Sequence, residues 1–200
     1  MSDPETLGFY DSQSHAYADC AADWADKALI WLDRFAATLP EAAYVLDFGA
    51  GSGWGAAWFR ERGFSVRAID GSVGLAAEAR RRHGIEVEVA PFDTLDAEAE
   101  FDGAWVAFSL LHDTRSAFPG HLQRLSRALV PGGRLYLGLK CGEGSMRDTH
   151  GRRYTYFAPE EVRAALLGAG FSDIDITLDR GESFTGEAED FLHTLATRRV

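Results

Sequence analysis

The chain is poor in cysteine, in long apolar runs and in positive charge. Its only cysteines are Cys20 and Cys141, and they lack CxxC spacing. A disulfide framework and a zinc or redox dithiol motif are thereby excluded from the expectations, and no metal site is expected. No apolar run approaches the ~18–20 residues that a membrane span needs. The first residues, MSDPETLGFYD, are acidic and polar and do not read as a secretory signal. A cytoplasmic protein without a membrane partner is the expectation. Lysine and arginine total 20 against 31 acids, a formal charge of −11. That balance repels a phosphate backbone, so nucleic acid is a poor first partner.

At 200 residues with 46% hydrophobic side chains, the chain can bury a core unaided. Asp11 to Leu39 contains neither Gly nor Pro. Trp24, Ala28, Trp31, Leu32 and Phe35 recur at helical spacing, which predicts one amphipathic helix stopped by Pro40. Tyr10 and Tyr17, seven apart, are placed to share a face. Residues 1–40 thus read as a helical cap and 41–200 as the main domain. Beyond Pro40 short apolar runs alternate with helical stretches. Strands are expected at Tyr44–Phe48, Phe64–Ile69, Ile85–Val89, Asp102–Phe108, Arg134–Lys140, Asp173–Asp179 and Phe191–Arg198. Helices are expected at Trp54–Arg62, Val73–His83, Leu122–Val130 and Pro159–Gly168. Strand–helix alternation predicts an α/β fold, a mostly parallel sheet with helices on both faces. The segment between the last two strands is too short for a parallel crossover, which takes about a dozen residues. An antiparallel edge hairpin should close the seven-stranded sheet.

The sharpest local signal is Val45-Leu-Asp-Phe-Gly-Ala-Gly-Ser-Gly53. A buried strand ends in a turn of three alternate glycines, where bare main chain and the first N–H groups of a helix face a ligand. A dinucleotide site would read GxGxxG. Here the spacing is GxGxG, and Asp47 stands where a pyrophosphate would be repelled. Asp70 follows the second strand, 21 residues after Gly49, where an acid accepts hydrogen bonds from ribose hydroxyls. Asp93 follows the third. Three acids after three successive strands suit a cationic nucleoside better than a polyphosphate.

On these segments the sequence resembles the class I S-adenosylmethionine-dependent methyltransferases, of Rossmann-like fold, from about Tyr44 to Val200. VLDFGAGSG, AIDGS, PFD and FDGAWVAFSLLH are similar to the family's first four motifs, and the run from Leu122 to Lys140 to its fifth-strand segment. The nearest subgroup is the small stand-alone bacterial-type enzymes, methyltransferase-11/12 or tellurite-resistance-like. The resemblance implies S-adenosylmethionine as cofactor and S-adenosylhomocysteine as product. It implies that Asp47, Gly49, Ala50, Gly51 and Gly53 hold the methionine portion and that Asp70, Gly71 and Ser72 meet the ribose. Phe92, Asp93 and Thr94 would meet the adenine. Phe108 and Ser109 would border the methionine portion, and Tyr10 and Tyr17 the cofactor mouth.

A sulfonium methyl is already activated, so the chemistry needs alignment and exclusion of water more than a catalytic triad. His112 has two readings: a catalytic base or substrate contact beside the methyl group, or a structural histidine bonded to a carbonyl. The stretch 140–157 carries Lys140, Arg147, Arg152 and Arg153 with Tyr154, Tyr156 and Phe157. It reads either as a basic, aromatic lid over the acceptor or as an ordinary loop. Trp24, Trp31 and Phe35 read as packing. The function expected is methyl transfer to a small-molecule acceptor by a monomer or homodimer. Alternatives are a non-catalytic module that binds S-adenosylmethionine, an RNA or protein methyltransferase, and an NAD(P)-dependent oxidoreductase.

Overall fold

The computed structural model describes residues 3–182 and 188–200, with the side chains of 21–27 outside the description. Seven strands form one sheet in the order β3-β2-β1-β4-β5-β9-β8. They are β1 (Tyr44–Phe48), β2 (Ser65–Asp70), β3 (Val87–Val89), β4 (Phe101–Ala107), β5 (Leu129–Lys140), β8 (Phe171–Glu182) and β9 (Ala188–Arg198). Every pairing from β3 to β5 is parallel, and β9 runs antiparallel to both β5 and β8. The chain order reverses between β1 and β4, so a crevice opens beyond the carboxyl ends of these strands. Helices α3 (Trp54–Glu61), α4 (Val73–His83), α5 (Phe118–Ala128) and α6 (Pro159–Gly168) connect the strands. Buried Val45, Leu46, Phe48, Val106, Leu135 and Leu137 fill the layers between sheet and helices. Among the described residues no helix is long and apolar enough to cross a membrane.

Several boundaries move for identifiable reasons. The single N-terminal helix is two, α1 (Pro4–Ser12) and α2 (Ser14–Ala36), with Gln13 leaving helical geometry between them. The bend brings Tyr10 and Tyr17 to a ring separation of 4.9 Å, so the two tyrosines meet across a break. Ile85 does not open a strand. Gly84, at φ 61°, ends α4, and the Ile85 N–H reaches back to the Ala79 carbonyl while its side chain packs in the same cluster as Ala79. That is a Schellman-type stop. Helix α5 starts four residues early because Pro119 sits in its first turn, where a missing N–H costs nothing. Its expected stop, Pro131-Gly-Gly133, lies within β5 at an irregularity in the β4–β5 register. The stretch 140–157 contains a hairpin that periodicity did not reveal, β6 (Ser145–Arg147) with β7 (Arg153–Thr155). Trp24 lies outside the described side chains, whereas Trp31 and Phe35 are buried.

Candidate active site

The glycine turn after β1 needs its three glycines for three reasons. Gly49 (φ +88°) lies so close to Ser109 that an added Cβ would come within 2.1 Å of the serine Cβ. Gly53 (φ +77°) lets α3 press on Ala79, 2.7 Å from where a Cβ would stand. Gly51 (φ +53°) has only Leu75 near its vacant Cβ position, at 4.0 Å, and lines the cavity beyond the turn. The first glycine serves the fit to β4, the last serves helix packing, and the middle one leaves main chain bare.

Two acids are buried behind this turn. Asp47 is 3% exposed and accepts a hydrogen bond from the Ala56 N–H at the start of α3, a helix whose N-cap, Gly53, supplies no side chain. Burial, reinforced by the charge of Asp70, pushes the Asp47 carboxyl up to about 7. No lysine or arginine pairs with it among the described residues. Asp70 is also held up by burial, while the N–H groups of Ser72, Gly51 and Gly71 work in the other direction. Its oxygens accept from Gly51 N at 2.9 Å and Ser72 N at 2.8 Å. Two sequestered carboxyl groups, neither ion-paired with a lysine or arginine among the described residues, are a costly arrangement, relieved when a cationic ligand arrives.

A cavity of about 470 Å³ opens over the turn. It brings together Tyr10, Tyr17, Asp47, Gly49, Ala50, Gly51, Phe108 and His112 of the expected residues. Asp70, Gly71, Ser72 and Gly53 stand behind the turn and do not line it. Ser109 is turned away, its hydroxyl donating to the Phe48 carbonyl at 2.7 Å. Phe92 is sunk in the core against Phe48 and His121, while Asp93 and Thr94 are exposed on a short 3₁₀ turn. Helix α1 crosses the start of α4, where Asp11 accepts from the Ser72 hydroxyl at 2.6 Å and the Gly74 N–H at 3.0 Å.

His112 is enclosed. Its Nδ1–H donates to the Arg153 carbonyl at 2.6 Å, and Nε2 accepts from the Tyr10 hydroxyl at 2.8 Å. Burial lowers its pKa to about 4, so the ring is neutral at pH 7 with both nitrogens engaged. Three of the four cations named in the basic stretch are ion-paired, two of them with acids outside it. Lys140 meets Glu189 at 2.6 Å, Arg147 meets Asp3 at 2.7 Å and Arg152 meets Asp148 at 2.7 Å.

The far wall of the cavity is one that the sequence did not announce. Trp31, read as packing, stacks on His193 at 4.1 Å with the rings 3° apart. Tyr136 of β5 hydrogen-bonds His193 Nδ1 at 2.8 Å and stacks on Trp105 at 3.8 Å. Phe108, in left-handed backbone geometry at φ 54°, turns its ring towards Phe191 and His193. Its ring fills the space at Gly138, which has no side chain, opposite His193 in the ladder. The available sequence signal was a polar His193 inside the apolar alternation of Phe191-Leu-His-Thr-Leu195.

A methyltransferase domain model matches residues 45–133, the span from β1 into β5. The structure is similar to the crystal structure of the Burkholderia thailandensis 1,6-didemethyltoxoflavin-N1-methyltransferase with bound 1,6-didemethyltoxoflavin and S-adenosylhomocysteine. The two share 26% identity and a TM-score of 0.78, over all of this chain and 92% of that one. The chain belongs to the class I S-adenosylmethionine-dependent methyltransferases. Among curated relatives of this family it is 33% identical over 141 residues to the malonyl-[acyl-carrier protein] O-methyltransferase of Salmonella typhimurium, covering 68% of this chain and 52% of that protein. It is 32% identical over 113 residues to the corresponding enzyme of Erwinia pyrifoliae, covering 54% of this chain and 40% of that one. The chain thus spans about half the length, or less, of these methyltransferases.

Proposed function

We propose that the protein transfers a methyl group from S-adenosylmethionine to a small, planar acceptor. The observation that carries this reading is the continuity of one cavity. At one end are Asp47 and the bare turn Gly49–Gly51, and at the other an aromatic wall of Trp31, Tyr136, Phe191 and His193. The residues fit the cofactor. Asp47, buried without a cation, suits its positively charged end. Asp70 suits the ribose and exposed Asp93 the adenine amino group, with Tyr10 and Tyr17 beside the methionine portion. When bound, S-adenosylmethionine supplies a sulfonium methyl that is already electrophilic. The protein's own task is placement: Phe108 and Tyr136 press the acceptor towards the turn, and α1 and α2 exclude water from above.

Three features support a small planar acceptor over the carboxylate of a malonyl group. The far wall is built of aromatic faces, and the Burkholderia relative carries a flat heterocycle. Of the three cations that line the cavity, Lys140 and Arg152 are already paired with Glu189 and Asp148, and Arg180 is exposed, 3.9 Å from Asp190. The N-terminal helices act as the cap.

Calorimetric titration with S-adenosylmethionine and S-adenosylhomocysteine, with NADH alongside, tests the reading. Micromolar binding of the two sulfur nucleosides, weakened in Asp70→Ala, is the expected result. Binding of NADH alone would replace this function with the oxidoreductase alternative. Cofactor binding without turnover across an acceptor panel would leave the non-catalytic module.

A further inference from the structure

His193 stands apart from the histidine that the motifs single out. It is 6% exposed, on β9, and its ring is fixed on every side. Trp31 of α2 covers one face. Tyr136 of β5 holds Nδ1, and Phe108 lies edge-on at 5.7 Å. Nε2 remains, 3.9 Å from the carboxylate of Asp179 on β8, and both residues line the cavity. The charged groups facing it are Asp179 and, from α2, Arg34, which is engaged with Asp175 and the Trp31 ring.

The Tyr136 hydroxyl is buried and burial raises its pKa, so it keeps its proton. Its hydrogen-bond partner among the described residues is His193 Nδ1, to which it donates. A neutral imidazole with Nδ1 accepting must carry its hydrogen on Nε2. Asp179 opposite Nε2 favours the same tautomer. Burial holds the ring neutral, at a pKa of about 4. This is a fixed donor in an aromatic wall, and too weak a base to take a proton near pH 7.

We propose that His193 is a specificity-determining residue whose Nε2–H donates to a carbonyl oxygen or ring nitrogen at the edge of a planar heteroaromatic acceptor, with Tyr136 positioning the donor. The inference rests on the methyltransferase reading and deepens it. An apolar wall with one directional donor discriminates strongly against a flat molecule without an acceptor atom, because that molecule leaves the buried N–H unmatched.

The test uses the full chain saturated with S-adenosylhomocysteine. Two planar probes are titrated by calorimetry: lumazine, which has carbonyl edges, and indole, which offers only an N–H donor. The wild type should prefer lumazine by about tenfold or more, the scale of one lost neutral hydrogen bond in a closed site. His193→Phe should abolish the preference, and His193→Gln, which restores a side-chain N–H, should recover most of it. Tyr136→Phe should reduce it. Nitrogen-15 spectra of the histidines should show His193 protonated at Nε2 in the wild type and a tautomer mixture in Tyr136→Phe. S-adenosylhomocysteine affinity should be the same throughout, so a failure of cofactor binding in the wild type would strike the underlying function instead. The proposal is overturned if the wild type does not prefer lumazine, if His193→Phe keeps the preference, or if the His193 proton resides on Nδ1. Because the readout is a ratio of two probes, partial loss of stability in a variant does not mimic the result.

Discussion

At the scale of single residues the site is a problem of burying charge. Asp47 has a folded pKa of about 7, against a usual aspartate value near 4. A raised acid pKa means that the fold prefers the protonated form. The group's contribution is complete below the unfolded value and is lost as pH rises through about 7. The unliganded protein should therefore melt at a lower temperature at pH 8 than at pH 5.5, and Asp47→Asn should remove much of that difference. Calorimetric melts at the two pH values check this, and identical slopes in the two proteins would refute it. Binding of a cationic cofactor should ionise Asp47. Titrations at pH 6 in buffers of different ionisation enthalpy should then show proton release, absent in Asp47→Asn, with affinity falling by at least about tenfold. Gly49 gives a mechanical counterpart. A Cβ there meets Ser109 and sits at φ +88°, so Gly49→Ala should cost about 2 kcal/mol or more of stability. It should also abolish cofactor binding, which a thermal shift with S-adenosylhomocysteine measures.

Among the elements, α1 joins the core through Tyr10 and is also held by polar ties. It is tied at its start by Asp3 to Arg147, at 2.7 and 2.9 Å. The Thr6 hydroxyl oxygen receives the Arg153 N–H at 2.9 Å. Tyr10 meets His112 in the middle, and Asp11 the start of α4 at the end. The ties are polar and the Asp3–Arg147 pair is partly exposed, so its net worth is about 1 kcal/mol or less. Arg147→Ala should leave the melting temperature almost unchanged. It should speed amide exchange across residues 4–12 and quicken release of S-adenosylhomocysteine, read by hydrogen exchange and stopped-flow fluorescence. An unchanged release rate would mean that α1 does not gate the site. The legibility of the elements follows the same division. Val73–His83 and Pro159–Gly168 were readable to the residue because caps and turn residues mark both ends. The β6–β7 hairpin was not, because its strands are three residues each and its side chains are held by long-range ties such as Arg147 to Asp3. Asp47, Gly49 and Gly51 were legible as a site because one local motif carries them. Trp31, Tyr136 and His193 were not. They come from three elements far apart in the chain, and each alone reads as core.

For the molecule as a whole, ligand and fold are linked through mass action. At a concentration a hundred times its dissociation constant, a ligand specific for the folded state adds about 2.7 kcal/mol. In a chain of this length that raises the melting temperature by roughly 5–10 °C. S-adenosylhomocysteine should give such a shift and NADH should not. The overall architecture was predictable from order alone: strand–helix alternation fixes a parallel sheet, and a short final connection fixes the single reversed strand. The resting place of α1 over α4, where Asp11 meets Ser72 and Gly74, was not, because it is a tertiary contact that no local pattern encodes.

The margins of the sheet have a consequence for how copies of the molecule treat one another. One margin, β3, is three residues long, preceded by Glu86 and carrying Glu88 at its centre. The other, β8, is long and unpaired on its outer side, and a register irregularity lies between Ser172 and Asp175. Asp173, Asp175, Asp179 and Glu182 are exposed along it. Four acids against one cation, Arg180, on an open hydrogen-bonding edge are an electrostatic guard against a second sheet adding there. Loss of those charges leaves the backbone groups available, so colloidal stability should fail first at the β8 margin, and Asp175→Asn with Asp179→Asn should bring the onset of light scattering to a lower protein concentration.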